Sequence, residues 1–138
     1  MNFINKILVI VAFVFSHNVL AEVVVIVNSN NGDSIDKKLV KKIYLGKAKV
    51  FPSGDKVKVY TLPSSEADTE YFRDKALKKS NSQFKSYWSK LAFTGKGTPA
   101  TELDSAADII EAIKKDPSAI GFINSKDVSG DVKVAVNY

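Results

Sequence analysis

Cysteine is absent from this 138-residue chain, and histidine occurs once, as His17 near the N-terminus. Together these gaps exclude most catalytic and metal chemistry. There is no thiol or imidazole nucleophile, no imidazole base, no Ser-His-Asp triad and no ordinary zinc site. Carboxylates alone could still do acid–base work, but no pair of acids sits in an apolar stretch that would raise one member's pKa. No catalytic residue, metal ligand or cofactor is expected, and the chain reads as a non-enzyme. A domain of this size also folds without disulfides, even when exported.

Arginine is almost missing too. Arg73 is the only one, and every other cationic side chain is Lys. A nucleic-acid surface would be richer in Arg and interleaved with aromatics, so no nucleic-acid partner is expected. Long apolar runs are also scarce. Ile7 to Phe15 is unbroken but too short to span a bilayer, and no second such segment follows. With Lys6 before it and Val19-Leu20-Ala21 after it, this run reads as a secretory signal cleaved after Ala21. No Cys follows that could carry a lipid anchor. Taking 21 residues from 138 leaves 117, residues 22–138, enough for one domain with its own core. That part holds 19 basic and 15 acidic residues, a net charge of about +4. Such a Lys-rich surface is mostly solvated, though its mild field would draw anions towards a cleft.

The remaining pattern alternates strands with helices. Val23 to Asn28 is a β-branched run that fits a strand buried on both faces. Ser34 is placed to cap a helix with Ile35, Leu39 and Ile43 on one side, and Gly46 suits a left-handed stop. Lys56 to Thr61 alternates with period two and predicts a strand. A second helix is predicted from Ser65, with Asp68 at capping-box spacing, and a third from the Ser80/Gln83 capping box. Phe84, Tyr87, Trp88 and Leu91 form a core-type stripe on the third. Ser105 caps a fourth helix, with Ala106, Ile109, Ile110 and Ile113 inward and Pro117 beyond its end. Ala119 to Asn124 and Val132 to Val136 complete the strands. The fold class is α/β: one three-layer domain, a mixed, partly parallel sheet with helices on both faces.

Three phrases stand in a fixed order along the chain. They are Lys42-Ile43-Tyr44-Leu45-Gly46-Lys47 followed by Phe51-Pro52-Ser53-Gly54, then Trp88 to Gly97 (WSKLAFTGKG), then Ser118-Ala119-Ile120-Gly121-Phe122. In this order they resemble the second lobe of phosphate ABC transporter substrate-binding proteins, the PstS-like type II periplasmic binding proteins, here in a short single-lobe form. The likeness covers most of Val23 to Phe122. It implies one lobe of that fold, a periplasmic location, phosphate or a similar oxyanion as ligand, and a link to an ABC importer.

The resemblance also implies where the anion would sit. The family's loop carries an Arg and then a Ser- and Gly-rich run at a helix start. The corresponding stretch here, Thr61 to Thr69, has neither the Arg nor the glycines. Thr61, Ser64 and Ser65 remain as candidate ligand contacts, since free N–H groups at a helix start attract an anion. Glu66 and Asp68 occupy the same turn and compete with it. Thr94, Gly95 and Lys96 are a second candidate, with backbone access from glycine and a positive charge, but without P-loop spacing. Ser29 and Asn30 are a third, following the first strand at its carboxyl end, where open α/β sheets bind ligands. Each has a plain structural reading as well: a helix cap, a connecting loop and a polar turn.

Family members have two lobes that grip the ligand between them, and residues 22–138 have room for one. A half-cleft buries less ligand and cannot close. The expectation divides at this point. Either a homodimer or another subunit supplies the second wall, or the fold has lost ligand binding and serves as an interaction module for a membrane transporter or sensor protein.

Overall fold

A strand that is apolar at every position needs cover on both sides, and β1 (Val23–Asn28) has it. The computed structural model describes residues 22–138, and all six residues of β1 are buried. The predicted leader, Met1 to Ala21, lies outside the described residues. Five strands form one sheet: β1, β2 (Lys58–Thr61), β3 (Thr101–Glu102), β4 (Ala119–Asn124) and β5 (Val132–Asn137), in the order β3-β2-β4-β1-β5. β1 is antiparallel to both β4 and β5, whereas β2 is parallel to β4 and to β3. The mixed sheet agrees with the sequence pattern. β3 was not anticipated, because a two-residue strand has no periodicity to read.

Residues facing each other across an antiparallel pair share a face, and neighbours along a strand alternate. Val25 is opposite Phe122 and Ile26 is opposite Gly121, so these two pairs point to opposite sides of the sheet. The Gly121 side is covered by α4 (Ala106–Lys115), whose Ile109 and Ile113 are fully buried. The Phe122 side is covered by α1 (Lys37–Tyr44) and α2 (Ala67–Phe72). There the Phe72 and Phe122 rings stack with centroids 4.2 Å apart, and Tyr44 meets Phe72 edge-on at 4.8 Å. Burial pushes the Tyr44 phenol well above the usual tyrosine range, and its hydroxyl donates to the Tyr60 carbonyl at 2.8 Å.

Glycine at 121 sets the spacing of α4. A Cβ there would stand 2.7 Å from Ile109 Cγ2, and a β-branched side chain on a helix has little rotamer freedom to retreat. Gly121→Ala is expected to lower the free energy of unfolding by about 1–3 kcal/mol. The test is the urea midpoint, and an unchanged value would mean that α4 withdraws at no cost.

Two helix starts differ from the sequence reading. Asp36, not Ser34, caps α1, accepting from the Leu39 N–H at 2.8 Å. Asp33 binds the Ser53 N–H and hydroxyl at 2.9 and 3.0 Å, which ties down the segment before the helix, and α1 begins only at Lys37. Its buried face is Val40, Ile43 and Tyr44, while Ile35 and Leu39 are half-buried at its margin. The second helix starts at Ala67 with Glu66 as its cap residue and no side-chain cap bond. Asp68 does not complete a capping box because its carboxylate accepts from Asn124 Nδ2 at the end of β4, at 3.0 Å. A π-helical turn, Arg73–Leu77, follows α2 directly, and the chain reverses through left-handed Lys78.

Other local signals hold. Gly46 follows α1 in the left-handed region at φ 71°, and Ser80 with Gln83 forms the capping box of α3 (Asn81–Phe93). Ser105 caps α4. On α3 only Trp88 of the aromatic stripe is fully buried. Tyr87 and Trp88 donate to the carbonyls of Leu45 and Tyr44, which satisfies the free carbonyl end of α1 and fastens α3 to it. Among the described residues no helix is long and apolar enough to cross a membrane.

Candidate functional site

Arg73 is buried, with 5% of its surface exposed, and no carboxylate among the described residues lies within 4.0 Å of it as an ion-pair partner. Its position follows from helical spacing. Thr69, Arg73, Ala76 and Leu77 fall three or four residues apart on the inward side, and all four are buried. The π-helical turn begins at Arg73, and such turns collect at functional sites. Nη1 spends its two hydrogens on Ser64 Oγ and Asn81 Oδ1, both at 2.9 Å. Asn81 Nδ2 in turn donates to the Ser64 carbonyl at 3.1 Å, closing a three-residue ring of bonds. The Phe84 ring lies 4.1 Å from the guanidinium carbon and flanks one face.

A guanidinium has five N–H donors. Two are used here, and the three on Nε and Nη2 have no protein acceptor among the described residues. Arg73 itself lines the adjoining space. Burial lowers the Arg73 pKa from its ordinary value, and the nearby charge of Glu102 opposes that shift. A buried cation with free donors is costly unless an anion completes it.

The space beside Arg73 is a cleft of about 560 Å³, and Thr61, Ser64, Asn81 and Glu102 also line it. It opens at the carboxyl end of β2, and Glu102 stands there because β3 pairs with β2 in the register Thr61 to Glu102. Along α3 and the chain after it the wall changes to carbon, with Phe84, Trp88, Ala92, Pro99 and Ala100.

The predicted ligand residues fall in three places. Thr61 and Ser64 line the cleft. Ser65 is in the same turn, is exposed, and is not part of the lining. Ser29 and Asn30 lie at the opposite end of the sheet, since β1 runs antiparallel to β4 while β2 runs parallel to it. There Asn28 receives the Asn30 N–H at 2.9 Å and donates to the Ile113 carbonyl at the end of α4, at 2.8 Å. Thr94, Gly95 and Lys96 terminate α3. The Thr94 hydroxyl bonds the Lys90 and Leu91 carbonyls, Gly95 is left-handed at φ 68°, and the Lys96 N–H returns to the Leu91 carbonyl at 3.0 Å. This loop borders a different cleft, with Gly46, Lys49 and Lys56, and the Trp88 ring packs against both Gly46 and Gly97 between the two.

Arg73 and Asn81 were not among the sequence candidates. The only available signals were that Arg73 is the sole Arg and lies on the apolar side of its helix. The turn after β2 holds no Arg of its own, and the Arg73 guanidinium reaches back nine residues to Ser64. Among the described residues no group of three or more His, Cys, Asp or Glu is placed to hold a metal ion.

No protein-family model and no curated protein matches the chain. Solved structures do match. An ABC-type phosphate transport receptor from Vibrio cholerae superposes with a TM-score of 0.61 at 18% identity, covering 83% of this chain and 46% of that one. A protein assigned as a phosphate ABC transporter substrate-binding protein, with phosphate bound, from Clostridium perfringens gives 0.63 at 16%, covering 83% and 44%. PstS from Borrelia burgdorferi gives 0.60 at 15%, covering 83% and 47%. The chain therefore shares the fold of one lobe of such proteins and spans a little under half the length of each.

Proposed function

We propose that this chain is an exported oxyanion-binding module that receives a phosphate-type anion at Arg73. The observation that carries the reading is the buried guanidinium, held by Ser64, Asn81 and Phe84, which lines a cleft and has no protein acceptor on Nε or Nη2 among the described residues. A planar fork of this kind matches two oxygens of a tetrahedral anion, and Thr61 and Ser64 add polar groups beside it. The fold neighbours that bind phosphate for ABC transport support the same reading. The periplasmic location, the leader ending at Ala21, and delivery to a membrane transporter or sensor are parts of this proposal. So is a second copy or another subunit closing over the open side. Ser65, Ser29, Asn30, Thr94, Gly95 and Lys96 have no part in it, because they do not line the Arg73 cleft.

An open, one-sided cleft should bind weakly, with Kd on the order of 0.1–1 mM. The test is calorimetric titration of the purified protein with phosphate at low salt, with sulfate as a second anion. Saturable heat is expected, and no heat at millimolar phosphate would sink the proposal. Glu102 supplies a further check. Removing one negative charge at a partly solvated cleft is worth about 1 kcal/mol, so Glu102→Gln should tighten phosphate roughly fivefold. Unchanged affinity in that variant would place the anion away from Glu102.

A further inference from the structure

The cleft is two-sided in its chemistry. Polar groups gather around Arg73, with Ser64 beside it and Thr61, whose hydroxyl donates to the Leu62 carbonyl at 3.0 Å. The wall that begins at Phe84, against the guanidinium face, and runs along α3 offers carbon. Phe84 and Ala92 present no donor, and neither do Pro99 and Ala100 beyond them. Trp88 has a single N–H, and it is spent on the Tyr44 carbonyl, so the indole shows the cleft only carbon. Lys85, Ser82 and Ser89 also line the cleft, at exposed positions of α3 on its outer rim.

The oxygens of inorganic phosphate accept hydrogen bonds and need donors on every side, and the ion would fill a small part of about 560 Å³. Clefts of roughly 300–1,000 Å³ with an apolar lining and a few converging polar groups normally hold larger organic ligands. Resting on the oxyanion reading of Arg73, we infer that the preferred ligand is an organic anion. It carries a phosphonate-like or phosphate-monoester head on the guanidinium and a flat apolar substituent against the Phe84–Ala92 wall. The head takes the free Nε and Nη2 donors, and the substituent displaces water from a wall that cannot hydrogen-bond it.

The test uses the one tryptophan in the chain, Trp88, as a local reporter, since it lines this cleft. Its emission is followed while inorganic phosphate, methylphosphonate, phenylphosphonate and neutral benzyl alcohol are added in separate titrations, each checked by calorimetry. Phenylphosphonate is expected to bind at least tenfold tighter than phosphate or methylphosphonate and to shift Trp88 emission, with benzyl alcohol weakest. Equal or tighter binding of phosphate would overturn this inference and leave the oxyanion site standing. Binding of benzyl alcohol as tight as phenylphosphonate would overturn both, because no anion would be needed. Silence with all four probes would also overturn both, and phenylphosphonate heat with unmoved Trp88 emission would place the ligand elsewhere.

Discussion

Phe122→Ala is expected to lower the free energy of unfolding by about 3–5 kcal/mol. Phe122 is 1% exposed on β4, which lies between β2 and β1 in the middle of the sheet. Its ring lies 4.2 Å from Phe72 at 13° and 6.0 Å from Tyr44 at 59°, so one side chain joins the sheet to both helices of that face. Truncation removes the transfer energy of the ring and leaves a cavity that two stiff aromatic neighbours cannot fill. The whole domain is stable by only about 5–15 kcal/mol. At about 4 °C per kcal/mol for this size, the melting temperature should fall by roughly 12–20 °C. Urea denaturation with an unchanged slope is the decisive measurement. A loss below about 1 kcal/mol would mean that the stack is not central to the core.

Arg73→Gln is expected to weaken anion binding by about 100-fold while leaving stability within about 1 kcal/mol of the parent. Two opposing terms set the stability. The variant loses the hydrogen bonds to Ser64 and Asn81, and it also loses the cost of keeping an unpaired cation out of water. Binding has no such offset, because charge-assisted bonds to the anion are worth about 1.5–3 kcal/mol each and at least one disappears. Arg73→Lys should fall between the two, near a tenfold loss, since it keeps the charge but not the fork. Measuring affinity and melting temperature on the same samples separates binding from scaffolding. If both variants lose stability in step with affinity, Arg73 is a structural residue. If neither loses affinity, the anion binds elsewhere.

The turn between β2 and α2 carries no Arg of its own. Here Thr61 ends the strand, and the cation comes from the helix that follows, held by Ser64 of the loop and Asn81 of α3. Asp68, one of the two acids expected to repel an anion, is bonded to Asn124 instead.

What could be read from the sequence was whatever depends on a few neighbouring residues. The unbroken run Val23–Asn28 specifies a strand buried on both faces. Ser80 with Gln83, Ser105 and Gly46 specify helix ends, because a cap is a contact across three or four residues. Thr61 and Ser64 could be named because a strand end followed by a turn is local too. Tertiary structure alone decided the rest. Asp36 displaced Ser34 as a cap where Asp33 bonds Ser53, twenty residues on. Strand direction put Ser29 and Asn30 at the opposite end of the sheet from Thr61 and Ser64, and no local pattern encodes direction. In sequence Arg73 stands out only as the sole Arg, on the apolar side of its helix. It becomes a candidate site only when folding buries it beside Ser64, Asn81 and Phe84 with no carboxylate among the described residues as an ion-pair partner, because the cost of an unpaired buried charge exists only once water has been removed from around it.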